Sequence, residues 1–251
     1  MNAPRLEPGT CVVGADGCRA GWVAVALSPA RAPKLIAHHV FATACDLWDA
    51  WCDASLILID IPIGLPDGPG GRRCDIEARR RLGRPRGSSV FPPPCRAALR
   101  LDEHQRACAS NRRHVGVGLS LQAFNLRQKI REVDDFLRDE PSAMSRLRES
   151  HPEVCFQALA GRSMAHNKKR PAGRTERLEV LDRFLPDAGG LVDRVCAGRL
   201  PVVKPDDAID ALVLAVTALG HPDDLRTLPA DPPRDARGLA MEIVYRPGGW
   251  R

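Results

Sequence analysis

Leu56-Ile57-Leu58-Ile59 leaves no polar position for a solvent-facing side, and the run closes on Asp60-Ile61-Pro62-Ile63-Gly64. A strand with one wet face alternates polar and apolar residues, so a run without alternation is covered on both faces. Helices on both sides of a sheet supply that cover, which makes this an α/β chain with an interior strand. With 251 residues it can bury one substantial core, and we expect one domain over 1–251 with an insertion at 66–150.

The segments around that strand follow from composition and period. Cys11–Gly14 and Gly21–Leu27 read as two strands joined by the turn Ala15-Asp16-Gly17-Cys18-Arg19-Ala20, and Lys34–Phe41 reads as a third. Thr43–Cys52 is predicted helical with Leu47, Trp48 and Trp51 on one side, the two tryptophans as packing residues. From Pro66 to about Arg113 the chain is rich in Pro, Gly and Arg, includes Pro92-Pro93-Pro94, and is expected to form a lid or arm. Leu119–Arg138 carries a helical stripe of Leu126, Ile130, Val133 and Leu137 that Pro141 ends. His151–Leu159 is expected to be a strand, Thr175 an N-cap for a helix bearing Leu178, Leu181, Phe184 and Leu185, and Asp206–Leu219 an almost wholly apolar helix.

Charge is unevenly placed. The net is +6, yet Arg72–Arg113 holds twelve arginines against Asp75, Glu77, Asp102 and Glu103, a local +8. Such a patch fits a polyanionic partner, and nucleic acid is the expected one. Nine cysteines, an odd number without paired C-x-x-C spacing, argue against disulfide staples and structural zinc and fit a reducing cytoplasm. The first thirty residues hold Pro4, Glu7, Pro8 and Asp16 but no apolar export core, and no run of roughly eighteen apolar residues occurs, so no membrane association is expected.

The acids inside apolar surroundings point to chemistry. Asp16 follows the first strand, Asp60 ends the interior strand, and Asp207 and Asp210 lie three apart on one face of the last helix. Taken singly, an Asp-Gly pair is an ordinary turn and Asp206 and Asp207 are ordinary caps. Asp210 is different, because a lone carboxylate among Ala208, Ile209, Ala211, Leu212 and Val213 is costly. If the helix start meets the strand ends, three or four carboxylates converge, and like charges coexist there by holding a hard cation, Mg²⁺ or Mn²⁺. Two such ions suit phosphodiester hydrolysis, with the basic patch holding the backbone. Cys18 lies near Asp16 but has no base placed to activate it.

Several motifs together resemble a known group. They are Gly14-Ala15-Asp16-Gly17-Cys18-Arg19-Ala20-Gly21-Trp22, Ile59-Asp60-Ile61-Pro62-Ile63-Gly64-Leu65-Pro66, Cys74-Asp75 with Ala78-Arg79, Val90-Phe91-Pro92-Pro93-Pro94 with Arg96, His151-Pro152-Glu153 with Phe156, and Asp206-Asp207 with Asp210-Ala211. In this they are similar to the RNase H-like nuclease superfamily and, within it, to domain of unknown function 429, a predicted nuclease family. The resemblance implies a mixed five-stranded sheet flanked by helices, with the Arg/Pro-rich insertion after the fourth strand. It implies Asp16 as a first-strand acid bridging two metals, Asp60 as the fourth-strand acid, and Asp210 with Asp207 as helix acids. Glu153, whose motif belongs to the group, is a candidate contact to metal or water, or else a structural hydrogen-bond partner; Arg79, Arg80, Arg86 and Arg96 are implied as phosphate contacts, against the plain reading of a solvated face, and Lys168 and Lys169, in a polar loop, could face phosphate as well.

Two other classes share part of this pattern. A strand, an Asp-Gly turn and a second strand also open actin-like ATPases and sugar kinases, which use the turn amides for phosphate. Those proteins need two such domains, usually over roughly 300 residues, and no second such turn occurs here. A non-catalytic nucleic-acid-binding domain would keep the basic patch without needing intact acids. His151-Pro152 reads as a turn, and the other histidines show no metal spacing.

Overall fold

The computed structural model describes residues 9–30, 32–197 and 202–248; Pro4, Glu7 and Pro8 lie outside them. It is an α/β fold around a mixed five-stranded sheet of order β3-β2-β1-β4-β5, flanked by helices and consistent with an RNase H-like sheet. β1 (Val12–Cys18) pairs antiparallel with β2 (Gly21–Leu27), which pairs antiparallel with β3 (Leu35–Phe41). On its other side β1 runs parallel to β4 (Leu56–Ile59), and β4 runs parallel to β5 (Leu147–Glu149). Ile57, Leu58 and Ile59 are fully buried, as an unalternating run requires.

Two compact units organise the chain. Among the described residues, the first draws on 9–30, 32–60, 145–197, 202–226 and 244–248, and the second on Ile61–Met144 and Thr227–Ile243. In the first unit, strand alternation sends Val12, Cys18, Val23, Val25, Leu27, Leu56 and Leu58 into one core. That core is closed by α9 (Pro205–Ala218), which packs on β1, β2 and β4, and by α6 (Pro152–Ala160), α7 (Pro171–Leu181) and α8 (Ala188–Cys196), which pack on α9. α1 (Ala44–Trp51), capped by Thr43 and Asp46, packs on β2 and β3 and buries Leu47, Trp48 and Trp51.

The second unit is mainly helical: α2 (Arg73–Leu82), α3 (Arg96–Leu99), α4 (His104–Val115) and α5 (Leu121–Asp139). α3, α4 and α5 share a core of Cys95, Ala98, Ala107, Val115, Leu119 and Ala123. Arg72 is buried and held by Asp75 and the carbonyls of Ile63 and Gly64. No helix among the described residues is long and apolar enough to cross a membrane.

Local structure departs from these expectations, or fills them in, at several points. The stretch 152–160 is helix α6, not a strand; Pro152 at its first turn presets the helical φ, and its nearly continuous burial erases the period that separates helix from strand. α7 begins at Pro171 rather than after Thr175, again with proline in the first turn. The Pro66–Arg113 stretch holds α2, a 3₁₀ turn at Arg86–Ser89, α3 and most of α4; its buried stripes use small residues such as Cys74, Ala78 and Ala98, which carry little hydrophobic signal. The first hairpin is tighter too. Pairing continues to Cys18 with Gly21, so Asp16 lies within β1 rather than in a turn, because β1 is bonded on both sides.

Candidate metal centre

Alternation along the parallel pair of strands sets up the site. Val12 to Ala15 of β1 register with Leu56 to Ile59 of β4, and Asp60 N–H donates to Ala15 O at 3.0 Å. Asp16 and Asp60 are the next residues on their strands. Both follow the face of Val12, Leu56 and Leu58, the one α9 covers. α9 can sit close because Gly14 has no side chain: a Cβ there would lie 2.1 Å from Ala211 O and 2.2 Å from Ala215 N. This contact sets Asp210, one turn into α9, beside the strand acids.

The result is a cluster in which Asp16, Asp60 and Asp210 each offer a carboxylate oxygen, all within 4.8 Å of one another. Asp16 and Asp210 are buried, at 8% and 1% exposure, and Asp60 is half-buried. Asp16 Oδ1 accepts from Gly17 N–H at 2.7 Å, which fixes its rotamer. Burial, then the neighbouring carboxylates of Asp60 and Asp210, push the Asp16 carboxyl well above its usual range. Asp210 is pushed up to about 6 by burial, with Asp60 and Glu153 adding to it and Lys168 opposing. Asp60 is also raised, chiefly by burial, while His151 and Lys168 pull it down.

Lys168 and Glu153 complete the surroundings. Lys168 Nζ donates to Asp210 Oδ2. Burial alone would lower this ammonium's pKa, yet Asp210, Asp16 and Asp60 together hold it above its usual value. Glu153, buried in the first turn of α6, accepts from Arg177 Nη2 on its Oε1. Its Oε2 is buried without a hydrogen-bond partner, and so is His151 Nδ1. Both residues act electrostatically on Asp60. Oxygen donors with mutual repulsion and an unsatisfied buried carboxylate oxygen nearby could hold a hard divalent cation, and in donor type they fit Mg²⁺ or Mn²⁺.

The remaining candidates are placed elsewhere. Asp207 is half-buried at the start of α9, where its Oδ2 accepts from Lys204 N–H at 3.1 Å. Burial raises its carboxyl and that bond lowers it. Arg96 sits in an internal network of the second unit: its guanidinium donates to Asp134 at 2.7 Å and Asp235 at 2.5 Å. Arg79 Nε donates to Val90 O at 2.7 Å, and Arg86 Nε is buried without a partner. Arg80 and Lys169 are exposed. His151, expected in a turn, is the residue before α6, and the parallel pairing of β4 with β5 carries that helix start toward Asp60.

Residues 14–234 match the family described as Protein of unknown function (DUF429). No curated protein and no solved structure matches the chain.

Proposed function

The chain belongs to the DUF429 family, and from the carboxylates its fold gathers we propose that it is a divalent-cation-dependent hydrolase of nucleic-acid phosphodiester bonds. The observation that carries this reading is the Asp16, Asp60 and Asp210 cluster, with its oxygens within 4.8 Å of one another. Asp16, Asp60 and Asp210 would hold Mg²⁺ or Mn²⁺. When bound, such an ion supplies charge stabilisation at a phosphoryl group and a lowered pKa for water.

The chain's own residues supply the rest. Lys168 sets its ammonium against Asp210, and a phosphate held at the cluster would be a second acceptor for its remaining donors. His151, with Nδ1 unpaired near Asp60, is placed to take up or hand on a proton. The +8 segment Arg72–Arg113 supports a polyanionic substrate, and exposed Arg80 and Lys169 are the candidate backbone contacts.

The test is cleavage of a labelled panel of single-stranded, duplex, hybrid and branched DNA and RNA with Mn²⁺ or Mg²⁺, comparing wild type with Asp16→Asn. Cutting by the wild type alone is the expected result. No cutting on any substrate, together with no Mn²⁺ binding, would overturn the proposal.

A further inference from the structure

A lysine from a surface loop is entropically expensive to fix, since its side chain loses about 2 kcal/mol of rotamer freedom. Lys168 comes from the loop between α6 and α7, and that loop is built rather than loose. Two adjacent residues of α7 anchor it. Glu176, 7% exposed, accepts from Ala165 N–H at 2.9 Å, from His166 N–H at 3.0 Å and from Arg162 Nη1 at 2.6 Å. Arg177, 1% exposed, donates to His166 O at 3.2 Å and Gly173 O at 2.9 Å while pairing with Glu153. A Cβ on Gly173 would lie 2.0 Å from Asn167 O, so the loop backbone next to Lys168 rests directly on α7. The ammonium is therefore delivered by a fixed scaffold.

The charge of the cluster then has a definite value. With a cation bound, the ionised carboxylates of Asp16, Asp60 and Asp210 contribute three negative charges, and Glu153 is matched by Arg177. Asp207, at the edge of the cluster, is hydrogen-bonded to the Lys204 backbone at the positive end of α9. Lys168 removes one of the three, which leaves two, the charge of one divalent cation. A second cation would leave a buried surplus of positive charge.

We propose that the site takes a single divalent cation, with the Lys168 ammonium permanently supplying the positive charge that a second cation would bring. This rests on reading the cluster as a cation site, and it departs from the pair of ions that the sequence resemblance implies. An ammonium holds charge and three donors but imposes no coordination geometry, and on Asp210 it engages Oδ2, which leaves Oδ1 for a cation.

Calorimetric titration of the full-length protein with Mn²⁺ alone, and the EPR spectrum of the bound ion, test it without reference to activity. Wild type should bind one Mn²⁺ per chain with the spectrum of an isolated ion, and any second event should be at least hundred-fold weaker. Lys168→Met should bind two, with an exchange-coupled spectrum, and Lys168→Arg should return to one. Two tight, coupled ions in wild type would overturn the inference and leave the cation site standing; so would one ion in both wild type and Lys168→Met. No Mn²⁺ binding by wild type or either variant would overturn the cation site itself. Should Lys168→Met fail to fold, Lys168→Gln takes its place under the same outcomes.

Discussion

Ala211 O occupies the space into which a Cβ on Gly14 would project, 2.1 Å from it, so α9 lies on bare backbone of β1. Asp16 is two residues along the same face and Asp210 precedes Ala211. Helix seating and carboxylate spacing are thus one geometric fact. Gly14→Ala cannot be absorbed by a side-chain rotation, because the obstacles are backbone atoms. We expect a loss of about 3 kcal/mol in denaturant-induced unfolding, at the upper end for inserting one methyl group into a packed core. Gly189→Ala in α8 is the control, since nothing lies within 4 Å of its Cβ position; there the change should be neutral or a gain of up to about 1 kcal/mol.

The cation-free protein should lose stability as pH rises from about 4 through 6. The carboxyls of Asp16, Asp60 and Asp210 are all raised in the fold, Asp210 to about 6 from 3.8. Between the unfolded and folded values the native state binds more protons than the unfolded chain, so the slope of stability with pH is negative there. Asp210 alone accounts for a change on the order of 3 kcal/mol. Urea unfolding in EDTA across this window checks it, with Asp210→Asn showing a flatter profile and Mn²⁺ flattening that of the wild type. A wild-type profile that falls no more steeply than that of the variant would refute it.

Glu176→Gln should loosen the loop that carries Lys168. The amide cannot accept from Ala165 N–H, His166 N–H and Arg162 as the carboxylate does, and leaving such donors unmet costs about 1–3 kcal/mol. Burial alone would raise this carboxyl, yet those three donors hold it down at about 2. A depressed carboxyl stabilises the fold above its unfolded value of 4.5 and loses that contribution as pH falls toward 2. The stability gap between wild type and variant should therefore shrink on acidification, and limited proteolysis at 161–170 should quicken in the variant at neutral pH.

Arg96 and Arg80 should separate folding from binding. Arg96→Ala strands the buried carboxylates of Asp235 and Asp134, although Arg237 still reaches Asp134, and should cost about 3 kcal/mol or more. Arg80, exposed on α2, should change stability by less than about 0.5 kcal/mol when replaced by Ala. Arg80→Ala should lower nucleic-acid affinity across sequences and reduce the salt slope by about one. Unfolding curves and binding isotherms at several salt concentrations distinguish the two.

Sequence patterns reveal an acid when its neighbours make it anomalous. Asp60 ends an unalternating strand and Asp210 interrupts an apolar helix, so the anomaly is local and readable. The interior strand was legible for the same reason. Lys168 carries no such mark: a lysine in a polar loop looks solvated, and its anchors, Glu176 and Arg177, act through backbone atoms that composition does not register. Arg96 is likewise opaque, since its partners lie 38 and 139 positions away. The sequence of α6 hides its helical character, because a helix buried on nearly every side loses its amphipathic period.

The seating of α9 on β1 also orders events during synthesis. A nascent chain that has reached Asp60 can form the β1–β2 hairpin and β4, but the apolar face of Val12, Val23, Val25 and Leu58 has no cover until residues 205–218 leave the ribosome. Translation at about 5–20 residues per second leaves that face open for many seconds. The three-carboxylate cluster is therefore completed only when α9 docks on β1, after the strands that carry Asp16 and Asp60 have been made.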